Sequence, residues 1–140
     1  MKKIFLTFFI FLVFTSYSFS QSSSSSIIKN KKVDEVKAQL VNYEINQGYE
    51  IENETNNTIS FTKKASGGFL ETSILVMRYG GGEFYDRNRY NFSQSGGDVR
   101  IFYFREMFSS KSNEAMKLGT TDDMKQLNQD YLNQFVNSVK

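Results

Sequence analysis

The sequence contains no cysteine and no histidine. Without them there is no Ser-His-Asp triad, no Cys-His pair and no thiolate nucleophile. The usual nitrogen and sulfur ligand sets for zinc and copper are missing too, so neither a metal site nor a cofactor is expected. The chemistry left to the chain is that of carboxylates, lysine, tyrosine and serine. Lack of cysteine also rules out disulfide staples and a lipidated cysteine. A domain of about 120 residues can bury a core without staples, and their absence suits a bacterial envelope better than a eukaryotic extracellular setting.

Long apolar runs are scarce as well. The one at the N-terminus, Ile4 to Phe14, is broken only by Thr7 and ends in Thr15, Ser16, Ser18 and Ser20. That is short of the roughly 20 apolar residues a membrane span needs. With Lys2 and Lys3 ahead of it, and Ser18 and Ser20 three and one before a cut at Ser20–Gln21, residues 1–20 read as a cleavable signal peptide. The expected location is periplasmic or secreted, with no stable membrane anchor after cleavage. Net charge then disappears. Taking Lys2 and Lys3 from 17 basic residues leaves 15 against 15 acidic ones, so there is no electrostatic footprint of a nucleic-acid binder. The five serines Ser22–Ser26 place a flexible tether over 21–28, and 29–140 reads as one domain.

Within it, Val33, Val36, Leu40 and Tyr43 recur at spacings of three and four and predict a helix over 31–47, closed by Gly48. The lysines on its other face are read as solvated. The period then drops to two. Tyr49, Ile51 and Asn53 alternate with Glu50, Glu52 and Glu54, Thr55-Asn56-Asn57 turns, and Ile59 and Phe61 alternate with Ser60 and Thr62: a hairpin. A third strand is predicted over Phe69–Tyr79, placed mid-sheet because Ile74-Leu75-Val76-Met77 is apolar on both faces. A fourth follows over Glu83–Ser93 and a fifth over Val99–Phe108, with Ser109–Gly119 as a polar loop. Thr120, followed three residues on by Asp123, caps a last helix with Met124, Leu127, Tyr131 and Phe135 on its stripe, widened by Leu132, Val136 and Val139. The fold class is α+β: a five-stranded antiparallel meander with an N-terminal and a C-terminal helix packed on one face, in the order α-β-β-β-β-β-α.

The first helix, Gly48-Tyr49-Glu50-Ile51, the polar turn and Ile59-Ser60-Phe61, with the later Gly96-Gly97-Asp98-Val99-Arg100-Ile101 turn and strand and a terminal helix, resemble uncharacterised small secreted proteins and lipoproteins of Gram-negative bacteria. The resemblance covers residues 29–140. It implies an α+β fold and no catalytic residues. Many of those proteins carry a lipid anchor, which this chain, lacking cysteine, does not.

Paired carboxylates are the remaining route to hydrolysis. Glu50, Glu52 and Glu54 on one strand face read as a solubilising edge, and Asp122 and Asp123 as charges suited to a helix N-terminus. No calcium loop is present, and Gly80-Gly81-Gly82 and Gly96-Gly97 read as turns rather than phosphate loops. The most suggestive stretch is 77–108, where tyrosine and phenylalanine interleave with arginine. Alternation puts Tyr85, Arg87 and Arg89 on one side of the fourth strand, and sets Arg100, Phe102 and Phe104 of the fifth opposite Val99, Ile101 and Tyr103. Aromatics favour strands in any case, but two helices cover one face of a sheet only, and rings with guanidinium groups suit recognition. The reading is a non-enzymatic binding or interaction module of the bacterial envelope. Its candidate site is Tyr85, Arg87, Arg89, Arg100, Phe102 and Phe104, and its partner an envelope or extracellular protein, or a glycan, with no nucleic acid. A carboxylate-dependent glycan hydrolase and a structural subunit of an envelope assembly are the alternatives.

Overall fold

A computed structural model describes residues 23–65, 82–111, 115–118 and 121–139. The signal peptide and the strand expected over Phe69–Tyr79 lie outside the described residues. The elements are β1 (Ser24–Ile28), α1 (Val33–Asn46), β2 (Glu50–Glu54), β3 (Thr58–Lys64), β4 (Phe84–Ser95), β5 (Asp98–Ser109), β6 (Ala115–Leu118) and α2 (Asp122–Ser138). The result is an antiparallel α+β sheet with one N-terminal and one C-terminal helix.

Helix α1 ends where its glycine dictates. Gly48 sits at φ +84°, in the left-handed region. Its N–H donates to the Ile45 carbonyl at 2.9 Å and the Tyr49 N–H to the Glu44 carbonyl at 3.0 Å, the paired bonds of a glycine-terminated helix. Helix α2 is capped by Thr121, whose hydroxyl accepts from the Met124 N–H at 3.4 Å. The cap is thus one residue later than expected, and Asp122 and Asp123 fill the first turn.

Strands lie side by side in the order β1-β5-β4-β3-β2, with β6 sharing the β1 side of β5. Strand β3 pairs directly with β4, from Thr58 opposite Asn91 to Lys64 opposite Tyr85. Two segments expected to be irregular are strands. The expected tether supplies β1, its Ser24 opposite Tyr103 and Ile28 opposite Val99. Pairing with β5 replaces water on the serine backbone, and burial of Ile28 fastens the end. The outer edge of β1 is covered by α2: Gln129 accepts from the Ser25 N–H at 3.3 Å and donates to the Ser25 carbonyl at 3.2 Å. Beyond β1, the expected polar loop contributes β6, which pairs with Arg105–Phe108 of β5. Four residues are too few for alternation to register in sequence.

Both helices pack on one face. Val36 and Leu40 of α1 and Leu132 and Phe135 of α2 join Ile59, Phe61, Tyr90, Phe92, Val99, Ile101 and Tyr103 in one core, and Tyr43 meets Phe135 with ring centres 5.4 Å apart. Leu127, expected on the α2 stripe, is exposed, because the buried line runs through Asn128, Leu132 and Phe135. Lys37 is not solvated either. It is buried, with its ammonium 2.6 Å from Glu54 and 2.7 Å from the Thr55 carbonyl. Glu54 reaches it because the β2–β3 register shifts between Ile51 and Asn53. That bulge splits the acidic row: Glu52 contacts Ser60 and Arg87 on the open face, whereas Glu54 turns to the helix face.

Candidate binding face

The register fixes which side chains share the sheet face away from the helices. Tyr90 opposes Tyr103 and Phe92 opposes Ile101, all core residues, so the intervening positions of β4 and β5 point the other way. Tyr85, Arg87 and Arg89 therefore share the open face with Arg100, Phe102 and Phe104, as alternation predicted. They do not form one cluster. Arg89 opposes Phe104, but Arg100 opposes Ser93 at one end and Tyr85 opposes Phe108 at the other. At about 3.3 Å per residue the row spans most of the sheet length.

The centre of the face is an ion-pair network that sequence reading missed. Arg87 grips Glu52 with two parallel bonds, Nε to Oε2 at 2.6 Å and a second guanidinium N–H to Oε1. Another Arg87 nitrogen lies 3.5 Å from Glu106, which also accepts from Arg89 at 2.7 Å. The Ser60 hydroxyl donates to Glu52 at 3.0 Å. Arg87 lies 4.3 Å over the Phe108 ring, and Phe108 stacks on Tyr85 at 5.4 Å. Hydrogen bonding to Glu52 raises the Arg87 pKa further above its already high value, so its charge is constant. Extending the alternation of β5 past Phe104 would have placed Glu106 here. Alternation from Ile51, which opposes Phe61 of the core, would have placed Glu52 here too.

A shallow concavity of about 550 Å³ opens beside this network. Glu52 and Asn53 of β2, Thr58 and Ser60 of β3, and Arg87, Arg89 and Asn91 of β4 line it. Thr58 donates to Asn91 across the strands at 3.2 Å, and Asn91 opposes Phe102. The site therefore offers fixed planar donors and acceptors with aromatic neighbours. Glu52 and Glu106 face one guanidinium, and among the described residues no group of three acidic side chains gathers as metal ligands. A second concavity, of about 630 Å³, lies where the β4–β5 turn meets α1. Gln94 ties that junction together, donating to the Lys31, Gly96 and Asp98 carbonyls at 3.1, 3.2 and 3.1 Å.

On the helix face sits a second polar cluster. Glu44 is fully buried and accepts from the Tyr90 hydroxyl, from Asn88 at 3.1 Å and from the Tyr131 hydroxyl at 3.2 Å. Tyr103 donates to Asn88 at 2.8 Å. Loss of hydration raises the Glu44 pKa, against the lowering effect of its three donors. Burial, and next the Glu44 charge, push the Tyr90 hydroxyl well above its ordinary value. Glu44 falls four residues after Leu40, on the apolar stripe of α1, which was the signal for it in the sequence. Closed from solvent, the cluster specifies packing rather than binding. Among the described residues no helix is long and apolar enough to cross a membrane. No known family model matches the sequence, and no curated protein is similar enough to stand as a relative.

Proposed function

We propose that this chain is an exported binding module of the bacterial envelope that recognises its partner through the open face of the sheet. The observation that carries the reading is the doubly held Arg87, clamped by Glu52, flanked by Glu106 and resting on Phe108. A guanidinium fixed in this way loses little conformational freedom when a partner arrives, and such preorganisation favours affinity. The aromatic residues beside it add contact area of the kind enriched at recognition surfaces.

Binding is favoured over hydrolysis because Glu52 and Glu106, the carboxylates of the network, already serve as acceptors for arginine. Glycoside cleavage needs one carboxylic acid free to give a proton and a second carboxylate free to attack or to activate water. Export rests on the signal-peptide pattern of residues 1–20.

The test is a nuclear magnetic resonance titration of the labelled mature chain with fractionated envelope extract. Shifts concentrated at the amides of Ser60, Arg87, Arg89 and Phe104 are the expected result. Shifts confined to α1 and α2, or none with any fraction, would remove the open-face reading.

A further inference from the structure

From the chemistry of the open face we infer that its concavity takes an uncharged oligosaccharide. This rests on the reading of that face as a binding surface and names the class of ligand. Four features support it. First, the charges balance: Arg87 and Arg89 are matched by Glu52 and Glu106, joined by contacts at 2.6, 3.5 and 2.7 Å. An anionic ligand reaching Arg87 would have to displace Glu52 from two parallel bonds, and a cationic one would have to displace a guanidinium from glutamate. A neutral ligand displaces neither.

Second, the polar groups around the concavity suit hydroxyl groups. Asn53 brings a carbonyl and an amide NH2, and Asn91 an amide NH2. The Thr58 and Ser60 hydroxyls, which donate to Asn91 and Glu52, keep lone pairs that accept, so the lining offers both donors and acceptors. Sugar hydroxyls have the same double capacity, so neighbouring hydroxyls of a pyranose can donate to one wall and accept from the other. Third, Phe102 and Phe104 stand opposite Asn91 and Arg89 on the adjacent strand, about 5 Å away as cross-strand neighbours. Both are half-buried, and their rings offer apolar contact to the C–H face of a sugar. Fourth, about 550 Å³ falls within the range of small-ligand sites, and the concavity is open along the sheet, which admits a short chain as well as a single ring. An extended peptide would bind differently. It would seek backbone groups at a sheet edge, whereas this concavity is lined by side chains of β2, β3 and β4 across the face of the sheet.

The experiment titrates the labelled mature chain with cellotetraose, maltotetraose and mannotetraose, and in parallel with tetragalacturonic acid, at low and high salt. At least one neutral tetrasaccharide is expected to move the amides of Ser60, Arg89, Asn91 and Phe104. Its affinity should be nearly independent of salt, because no net charge is neutralised. Phe104→Ala should weaken that binding about tenfold, a loss typical of one aromatic contact. Asn53→Ala, on the exposed edge strand where refolding is not at issue, should weaken it about threefold through one lost hydrogen bond. If envelope extract moves these amides and no neutral tetrasaccharide does, the carbohydrate inference falls and the binding face stands. Binding of the uronate alone, abolished by salt, overturns the inference in favour of an anionic ligand. Silence toward both sugars and extract removes the binding face itself.

Discussion

Burying the Glu44 carboxylate strips its water, and Tyr90, Tyr131 and Asn88 return three donors to it. The exchange is incomplete, since desolvation still holds its pKa above the ordinary 4.5. The folded protein therefore binds the Glu44 proton more tightly than the unfolded chain does. The stability from that proton is complete below about pH 4.5 and is lost as pH rises through the folded pKa. Urea unfolding across this range should show wild type losing stability relative to Glu44→Gln as pH increases; parallel profiles would refute the assignment. Glu44→Leu, which leaves three buried donors without an acceptor, should cost about 2–4 kcal/mol at pH 5. Arg87 has the opposite balance. It is partly exposed, so its pairs add little to stability, but its geometry is specific. Arg87→Lys keeps the charge and loses both the parallel bonds to Glu52 and the flat contact with Phe108. Thermal unfolding should change by less than about 1 kcal/mol, whereas the open-face shifts induced by envelope extract should be lost. Retention of those shifts would show that the guanidinium geometry is irrelevant.

At the scale of elements, strand β1 is held by pairing with β5 along its whole length and by packing against α2. Ile28 is buried at one end, and Gln129 of α2 satisfies the outward N–H and C=O of Ser25. Gln129→Ala should lower stability by about 1 kcal/mol and speed amide exchange at Ser25 while leaving β4 unchanged. Equal exchange at Ser25 in both proteins would mean that the clamp contributes nothing. The same strand shows what sequence can reveal. In β4 and β5, strict alternation over long runs put Tyr85, Arg87, Arg89, Arg100, Phe102 and Phe104 on the face where the register has them. In β1 the side chains are mostly serine, so no pattern distinguishes a strand from a tether, and only the open edge of β5 decides between them. The β2 bulge shifts the register by one residue, which no period-two reading anticipates. The ion pairs of Arg87 and the donors of Glu44 join residues 35, 19, 44, 46 and 87 positions apart. Local periodicity carries no information on such partners, although the position of Glu44, four residues after Leu40, would have marked it as a charge on an apolar stripe.

For the whole molecule, the proposed cleavage at Ser20–Gln21 would leave only Gln21, Ser22 and Ser23 ahead of β1. Intact mass of the exported protein should correspond to Gln21–Lys140; a mass that includes residues 1–20 would contradict export by cleavage. The sheet edges then bear on self-association. An unprotected edge strand invites pairing with a second copy, but among the described residues β2 ends the sheet with Glu50, Glu52 and Glu54 and a bulge, while β1 is closed at Ser25 by Gln129. Two β2 edges brought together would place glutamates against glutamates, a repulsion that low salt strengthens. The mature chain should therefore be monomeric in light scattering at low and physiological salt. A mass that rises with concentration would point to the open face as the contact between copies, since both edges are blunted. It would favour the reading of the protein as a structural subunit over that of a ligand binder. Glu50→Gln, which removes the charge and leaves the Glu54–Lys37 pair intact, should allow edge pairing only if charge, rather than the bulge, is what keeps β2 apart.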